Sequence, residues 1–297
     1  MRDQQRSEPT QGAALAATAP TTGAAADKEH RLAAWLLERE SVVIGFSGGV
    51  DSAYLACVAV ETLGPRRVLA VIGRSASYPA EQWESARRVA DQFGIPVREI
   101  DTDELSNPSY AANPSNRCFF CKSELWSRVV PIARDSGFSA VLDGTNADDS
   151  SDYRPGAAAG AERGVLSPLA LLGFTKAEIR ERSRLRGIPT WEQPASPCLA
   201  SRLPYGTAVT AERLAQVERA ERAVRALGIG GEMRVRHHGD LARVELPELD
   251  LQRWLAPDAA RGLRDAVRSA AGFARVAIDL RGYRSGSLNV LGGVTAA

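Results

Sequence analysis

A glycine-rich segment between an apolar run and a helical run most constrains how this chain can fold. Residues 41–46 are typical of a buried strand, and residues 52–63 have the pattern of a helix. The segment that joins them is Ser47-Gly48-Gly49-Val50-Asp51-Ser52, whose last residue begins the helical run. Glycines let the backbone approach an anion closely, and the amino end of a helix presents free N–H groups and a positive dipole. The sequence therefore predicts a phosphate-binding loop between a strand and a helix.

The polar residues of this glycine loop indicate a nucleotide and a metal ion. Ser47 and Ser52 supply hydroxyl donors, whereas Asp51 would repel phosphate unless it orients the loop or holds Mg²⁺ between phosphates. The loop lacks the Lys-Ser/Thr pair of Walker A and the third glycine of a dinucleotide fingerprint. The alternative is a tight turn without a ligand, which would need neither the hydroxyls nor the acid.

Strand-like and helix-like runs alternate through the first two thirds of the chain. Further strands are predicted at residues 68–72, 97–100 and 140–143, and further helices at 27–38 and 80–93. This alternation predicts an α/β fold with a parallel sheet and helices on both faces. Ligands bind beyond the carboxyl ends of such strands. We therefore expect Asp143 and Thr145 to contact ATP or Mg²⁺.

The chain changes character near residue 205. One helix, opened by Thr175 as N-cap, is predicted over residues 169–186, followed by an irregular Pro-rich segment at 194–206. Beyond it the patterns predict a helix at 210–227, strands at 233–235, 242–246 and 276–280, and a helix between the last two strands. The predicted domains are a disordered tail at 1–27, a nucleotide-binding domain at 28–204, and an α+β substrate and oligomerisation domain at 205–297.

Charge and hydropathy exclude several classes of protein. The 297 residues include 37 basic and 36 acidic side chains, so the net charge of +1 gives no overall footprint of nucleic-acid binding. No apolar run approaches the ~20 residues that a membrane-spanning helix needs. The amino-terminal stretch lacks the continuous apolar core of a signal peptide. We therefore expect a cytoplasmic protein with no membrane contact.

The four cysteines divide into one core residue and three candidate ligands. Cys57 falls inside the helix after the glycine loop, where it reads as a small apolar residue. Cys118 and Cys121 form a Cys-x-x-Cys pair, and Cys198 lies in the Pro-rich segment, so all three are expected near loops. Three thiolates without a fourth protein ligand favour a [4Fe–4S] cluster with one open iron, which can bind an extra sulfide. A disulfide or persulfide, a zinc site and three unrelated buried thiols remain alternatives.

Several basic residues are candidates for phosphate binding. Arg202, after Ser201, could grip a phosphate or adenylate, and Arg154 could contact the nucleotide in a similar way. Lys122, beside Cys121, could pair with phosphate or favour the thiolate. Because side chains alternate along a strand, two more arginines share one face and suit a substrate phosphate; these are Arg234 and Arg236. Surface ion pairs, a solvated lysine and a charged strand face are the corresponding alternatives.

The motifs together resemble a known family. The Ser-Gly-Gly-x-Asp-Ser loop is similar to the PP-loop of ATP pyrophosphatases, which cleave ATP between the α and β phosphates and transfer AMP to an oxygen. Between about residues 30 and 290 the chain resembles the LarE family of ATP-dependent sulfur transferases. The segments that carry this resemblance are residues 45–52, 142–146, 152–156 (Asp-Tyr-Arg-Pro-Gly), 201–206 (Ser-Arg-Leu-Pro-Tyr-Gly), 234–236 and 281–286.

The resemblance implies a role in making the nickel-pincer nucleotide of lactate racemase. The implied substrate is pyridinium-3,5-biscarboxylic acid mononucleotide, whose carboxylates are adenylylated by ATP with Mg²⁺ and then converted to thiocarboxylates. It also implies that Glu221 joins Arg234 and Arg236 in the substrate region. A homo-oligomer such as a hexamer and a downstream nickel-insertion protein are further implied.

The cysteine pattern separates two routes within this family. Some members sacrifice the sulfur of one cysteine just before the Ser-Arg pair. Alignment on Ser201 and Arg202 puts Pro197 at that position, with Cys198 one residue later. The chain therefore resembles the three-cysteine members, in which a cluster carries the transferable sulfide.

Three other functions compete with this interpretation. A PP-loop tRNA thiolase would require a basic surface and an RNA-binding element, which the near-neutral charge argues against. An amide-forming ligase of the NAD or GMP synthetase kind would have no use for three loop cysteines. A nucleotide sensor would release neither pyrophosphate nor AMP.

Overall fold

The structure is a computed structural model that describes residues 23–151, 155–194 and 196–284. Its helices are α1 (Ala24–Leu37), α2 (Val50–Leu63), α3 (Ala80–Phe93), α4 (Pro108–Ala111), α5 (Arg117–Asp135), α6 (Pro155–Ala161), α7 (Pro168–Leu171), α8 (Lys176–Leu185), α9 (Ala211–Ala226), α10 (Glu248–Leu255) and α11 (Pro257–Ala271). Its strands are β1 (Val42–Gly45), β2 (Val68–Arg74), β3 (Val97–Asp101), β4 (Ala140–Leu142), β5 (Arg234–His238), β6 (Leu241–Glu245) and β7 (Arg275–Ile278). Short 3₁₀ turns connect several of these elements.

The first four strands form one parallel sheet in the order β3-β2-β1-β4. Their side chains alternate between two cores, as a strand covered on both faces requires. Val42 and Ile44 pack against α1, α2 and α3 on one face. Val43, between them, packs with Trp126 of α5 on the other face. The predicted α/β fold, with helices on both faces of a parallel sheet, is confirmed.

The strand order fixes where a ligand can bind in this sheet. The chain moves from β1 to β2 and β3 on one side, and β4 pairs with β1 on the other side. Beyond the carboxyl ends of β1 and β4 the connections diverge, and such a switch point opens a crevice in α/β folds. The glycine loop after β1 and residues 143–146 after β4 border this crevice.

A second, smaller sheet follows in the carboxyl-terminal part. Its order is β5-β6-β7, with β5 antiparallel and β7 parallel to β6. Helices α9, α10 and α11 cover it around Met233, Trp254 and Leu263. The sequence predicts one helix between the last two strands, whereas the structure has two, α10 and α11. The 3₁₀ turn Leu199–Arg202 contacts both α9 and β5, so the third candidate cysteine lies next to this unit.

Three predictions of local structure need correction. Residues 169–186 form two helices because Gly173 adopts a left-handed conformation, with φ of 72°, between α7 and α8. Cys118 and Cys121 lie near a loop as expected, but within the first two turns of the 19-residue helix α5, which begins at Arg117 and which the sequence pattern does not predict. Helix α1 begins at Ala24, three residues before the predicted start. Across the described ranges, none of the helices combines the length and the hydropathy that a membrane span requires.

Candidate active site

The glycine loop is held in shape by hydrogen bonds within the loop and from neighbouring residues. The Ser52 hydroxyl accepts from the Ser47 N–H and donates to the Gly49 carbonyl, both at 3.2 Å. Outside the loop, Tyr78 and Gln82 each donate to the Ser47 carbonyl at 2.9 Å. These bonds fix the loop before any ligand arrives, so little ordering is required on binding.

Two glycines and the start of α2 make this loop suitable for an anion. Gly48 has φ of 70°, and a Cβ there would lie 2.5 Å from the Cβ of Ala86. Gly49 caps α2 without a side chain, so the amino end of this 14-residue helix points its N–H groups at the crevice. The side chain of Val50 is buried in the core, which leaves only its backbone N–H for a phosphate. Strand, loop and helix are all as predicted from the sequence.

Asp51 in the first turn of α2 meets a cation that sequence reasoning missed. Its Oδ2 lies 2.5 Å from Nζ of Lys176, the first residue of α8. The predicted N-cap Thr175 is confirmed, because it forms a reciprocal capping box with Glu178. The backbone N–H of Lys176 donates to Asp148 at 2.7 Å. The start of α8 is therefore fixed against the glycine loop, and the ammonium group stands where a cation is expected beside Asp51.

The end of β4 packs directly on this first turn of α2. A Cβ on Gly144 would lie 2.9 Å from the Ser52 nitrogen, so only glycine fits there. Asp143 Oδ1 accepts from the Thr145 N–H at 3.0 Å and from the Ser167 hydroxyl at 2.7 Å. Asp143 and Thr145 thus border the glycine loop as expected, and their contacts with ATP or Mg²⁺ stay a prediction.

The three candidate thiols converge from two segments of the chain. Cys118 and Cys121 share one face of the first turns of α5, since they are three residues apart on a helix. Cys121 and Cys198 pack against the same apolar cluster around Tyr110 and Leu199. Burial raises the pKa of both Cys118 and Cys121, and the negative charge of Cys198 raises each further. Cys57 faces the core within α2, where burial raises its pKa to about 12.

A buried arginine, Arg117, lies beside the thiol site. Arg117 donates to the side chain of Asn113 and, at 3.2 Å, to the Ala200 carbonyl next to Cys198. Burial is the largest single effect and lowers the pKa of Arg117, but Cys198 and Cys118, together with two nearby tyrosines, outweigh it, so the pKa is raised overall. Such a fixed positive charge favours thiolates. Sequence reasoning missed Arg117, although it directly precedes the Cys-x-x-Cys pair.

One loop after β2 supports both the thiols and the glycine loop. The Ser77 carbonyl accepts from the Leu199 N–H at 2.9 Å, beside Cys198. The Ser77 hydroxyl bonds to the Tyr110 hydroxyl at 2.6 Å. The next residue is Tyr78, which holds the Ser47 carbonyl. The thiol site and the glycine loop are therefore tied to neighbouring residues of the same segment.

Lys122 lies over the Trp126 ring, with Nζ 5.5 Å from the ring centre. A Cβ on Gly156 would lie 3.0 Å from its Cγ, which shows that α6 packs close against this lysine. Arg154, two residues before Gly156, lies outside the described residues, as do Asp152 and Tyr153. The phosphate contacts predicted for Lys122 and Arg154 stay predictions.

The basic residues near Ser201 form a buried network. Arg202 is 2% exposed and binds Glu221 with two hydrogen bonds of 2.9 and 3.0 Å. It also donates to the Ser201 hydroxyl and to the Cys198 carbonyl. These contacts position the Cys198 segment. They direct the guanidinium group of Arg202 at protein oxygens and not at an open phosphate site. A contact between Arg202 and phosphate stays a prediction.

Arg234 and Arg236 share one face of β5, as the alternation predicted. Arg236 pairs with Glu245 at 2.8 Å and donates to the Ser201 carbonyl at 3.1 Å. Arg234 lies over the Tyr283 ring at 5.1 Å. Burial lowers the pKa of Arg234, and the nearby Arg202 lowers it further. The guanidinium groups of these arginines repel one another, so a bound anion would be favoured between them.

The thiols also fit an iron–sulfur cluster by the chemistry of their donors. Soft sulfur ligands are those that an iron–sulfur cluster prefers, and the adjacent Arg117 favours the thiolate form that binds iron. Over residues 23–151, 155–194 and 196–284, no group of three His, Cys, Asp or Glu side chains is close enough to hold a metal ion. A cluster separates its cysteines more widely than a single ion does, so the two observations are compatible.

The fold and this loop define a class of enzyme. A parallel sheet with a Ser-Gly-Gly-x-Asp-Ser loop at its switch point belongs to the PP-loop enzymes, which use ATP with Mg²⁺. A family model described as NAD synthase matches residues 36–129. The ammonia-dependent NAD⁺ synthetase of Methanosarcina mazei is 41% identical over 78 residues, which cover 26% of this chain and 30% of that protein.

Two other relatives match almost the whole chain. The pyridinium-3,5-bisthiocarboxylic acid mononucleotide synthase of Lactiplantibacillus plantarum is 36% identical over 89% of this chain and 94% of its own length. An uncharacterised protein of Synechocystis sp. is 45% identical over 85% of this chain and 93% of its own length. The chain therefore belongs to the LarE family of the PP-loop superfamily, and it is an ATP-dependent sulfur-transferring enzyme.

Proposed function

We propose that this enzyme converts pyridinium-3,5-biscarboxylic acid mononucleotide to the bisthiocarboxylic acid, one carboxylate at a time. The observation that carries this proposal is that Cys121 and Cys198 pack on one apolar cluster, one helical turn from Cys118, while the residue after Cys198 is bonded to the segment that supports the glycine loop. An amide-forming ligase would use the loop but not the thiols. The relative in Lactiplantibacillus plantarum is a pyridinium-3,5-bisthiocarboxylic acid mononucleotide synthase, which supports the same substrate for this chain.

In the first step ATP activates the substrate. The glycine loop and the amino end of α2 hold the triphosphate, and Asp51 would hold Mg²⁺ where the Lys176 ammonium now stands. A carboxylate oxygen of the substrate attacks the α-phosphorus, the bond to the β-phosphate breaks, and pyrophosphate leaves. Lys176 then moves onto the phosphates, where it neutralises the charge that develops on pyrophosphate.

In the second step sulfur replaces AMP. A sulfur nucleophile at the thiol site attacks the acyl carbon of the adenylate, the C–O bond breaks, and AMP leaves with the electron pair. Arg117 keeps a positive charge beside the sulfur, and Arg202 fixes the carbonyl of Cys198. Cys118, Cys121 and Cys198 would hold a [4Fe–4S] cluster, which when bound supplies sulfide at its open iron.

The buried guanidinium groups orient the substrate for both rounds. Arg234 and Arg236 would bind the phosphate of the mononucleotide, with Glu221 and Arg202 holding the strand and the Cys198 segment in register. Lys122 and Arg154 would add contacts near α6. We further propose that the enzyme acts as a homo-oligomer in the cytoplasm and passes its product to a nickel-insertion protein.

The test is an anaerobic assay of the protein, reconstituted with Fe²⁺ and excess sulfide, with ATP, Mg²⁺ and the pyridinium substrate. We expect AMP and pyrophosphate in equal amounts, and mass spectrometry should detect replacement of oxygen by sulfur in the substrate. Serine at Cys118, Cys121 or Cys198 should abolish sulfur transfer, whereas Cys57→Ser serves as the matched control. Turnover of a tRNA base or of ammonia, with no thiocarboxylate, would refute the proposal.

A further inference from the structure

A buried carboxyl group beside the thiols has no role in the reaction described above. Glu104 opens the 3₁₀ turn Glu104–Ser106 after β3, and only 1% of the residue is exposed. Its Oε2 makes no hydrogen bond to any part of the chain that the structure describes. A carboxylate in such surroundings is costly, and buried ones are generally paired or bound to a metal. Oε2 of Glu104 is therefore open to a partner that the described residues around it do not supply.

The position of Glu104 indicates what this partner is. The turn Glu104–Ser106 contacts α4 and α5, and Leu105 packs on the same apolar cluster as Cys121 and Cys198. The same turn is tied to α5, because the Asp103 N–H donates to Glu124 at 3.2 Å. Glu104 therefore lies on a turn that packs against the helix of Cys118 and Cys121 and against the apolar cluster beside Cys198.

Histidine offers no substitute for this carboxylate. His237 bonds Gln216 in the carboxyl-terminal unit, His238 belongs to β5, and His30 is exposed on α1. Glu104 is a buried carboxylate on the turn that packs against the helix of Cys118 and Cys121. Its hard oxygen binds iron more weakly than a thiolate does, so a soft sulfide can displace it.

We propose that Glu104 is a fourth, exchangeable protein ligand of the cluster site, occupying the iron that the three cysteines leave open. When sulfide arrives, the iron–oxygen bond breaks and an iron–sulfur bond forms, without any change in oxidation state. The inference rests on the cluster proposed above. In this arrangement the Glu104 carboxylate protects the open iron between turnovers.

The experiment follows loss of iron in the absence of ATP and substrate. Wild type, Glu104→Gln and the neighbouring control Asp103→Asn are reconstituted anaerobically with Fe²⁺ and sulfide and then desalted. One equivalent of ferricyanide removes one electron and promotes release of one Fe²⁺, which leaves a three-iron cluster with its own electron paramagnetic resonance signal. We expect the three-iron signal to form several-fold faster in Glu104→Gln than in wild type and Asp103→Asn.

Excess sulfide supplies a second readout. Because sulfide takes the place of the carboxylate, it should slow iron loss in Glu104→Gln to the wild-type rate. The metal-free variant should melt at the same or a higher temperature than wild type, since the amide removes a buried charge. If Glu104→Gln does not fold, Glu104→Asp tests the same ligand, and it should lose iron at an intermediate rate.

The outcomes separate the two proposals. Equal rates in wild type and Glu104→Gln would overturn the ligand assignment while the cluster stands. Absence of iron from reconstituted wild type would overturn the cluster, and the assignment with it. Sulfur transfer is scored separately by the thiocarboxylate assay.

Discussion

Replacing Gly48 with alanine tests whether the glycine loop owes its shape to close packing. The residue has φ of 70°, and the added Cβ would lie 2.5 Å from the Cβ and 2.8 Å from the Cα of Ala86. A left-handed conformation costs a non-glycine residue about 1–2 kcal/mol, and overpacking costs a further ~1–3 kcal/mol. We therefore expect Gly48→Ala to lower the free energy of unfolding by about 2–5 kcal/mol, the sum of these two effects.

Gly94 provides a matched control for the backbone contribution. It has φ of 61° at the end of α3, and an added Cβ would meet no atom within 4 Å. Gly94→Ala should therefore cost only the ~1–2 kcal/mol of left-handed strain. The effect of alanine on the unfolded chain is common to both sites and cancels in the comparison.

The assay is urea unfolding followed by tryptophan fluorescence, combined with calorimetric titration of Mg·ATP. Gly48→Ala should weaken ATP binding, whereas Gly94→Ala should not. Adding Ala86→Gly removes the Cβ–Cβ clash, so the double variant should be more stable than the separate costs predict. Equal destabilisation at Gly48 and Gly94, or the absence of coupling to Ala86, would refute the packing argument.

Three further predictions concern charged groups. Lys176→Ala should weaken Mg·ATP binding about 10–100-fold, the equivalent of a charge-assisted hydrogen bond of ~1.5–3 kcal/mol. Lys176→Arg keeps the charge and should weaken binding less. An unchanged affinity for Mg·ATP in calorimetric titration would contradict a phosphate-binding role for Lys176. Burial opposes ionisation of Glu29, but Arg182 and Arg186 lower its pKa from 4.5 to about 2. Its ionisation therefore contributes about 3 kcal/mol above pH 4.5, which is lost as the pH falls towards 2. Urea unfolding across this pH window should show that Glu29→Gln is less stable than wild type at neutral pH and that its free energy of unfolding varies less with pH. Parallel plots of unfolding free energy against pH for the two proteins would be evidence against the linkage. Arg202→Ala leaves Glu221 buried and should cost ~3–5 kcal/mol in the same assay. It should also speed thiol labelling of Cys198, and an unchanged labelling rate would contradict the positioning role of Arg202.

The features that sequence reasoning found are those whose parts are neighbours in the chain. The glycine loop, the strand before it and the helix after it depend on consecutive residues, and all three are confirmed. The Thr175 cap is likewise a local pattern that is completed by Glu178. Where side-chain periodicity and capping residues agree, the local structure follows directly from the sequence.

The parts that escaped prediction depend on distant residues or on disguised patterns. Lys176 meets Asp51 from 125 positions away, and no local pattern records such a contact. Helix α5 contains Pro131, which normally interrupts a helix, and its cysteines resembled a ligand loop. Gly173 broke a continuous helical pattern because the periodicity of the flanking residues carries no information about φ.

The loop after β2 has a consequence for the order of events in catalysis. Ser77 holds the residue after Cys198, and Tyr78 holds the carbonyl of Ser47, so adjacent residues brace the donor of sulfur and the activator of the substrate. In the proposed mechanism the two reaction centres are therefore supported by adjacent residues of one loop. An acyl-adenylate formed at the glycine loop would meet the sulfur donor within the same supported unit, which would shorten the time in which water can hydrolyse it.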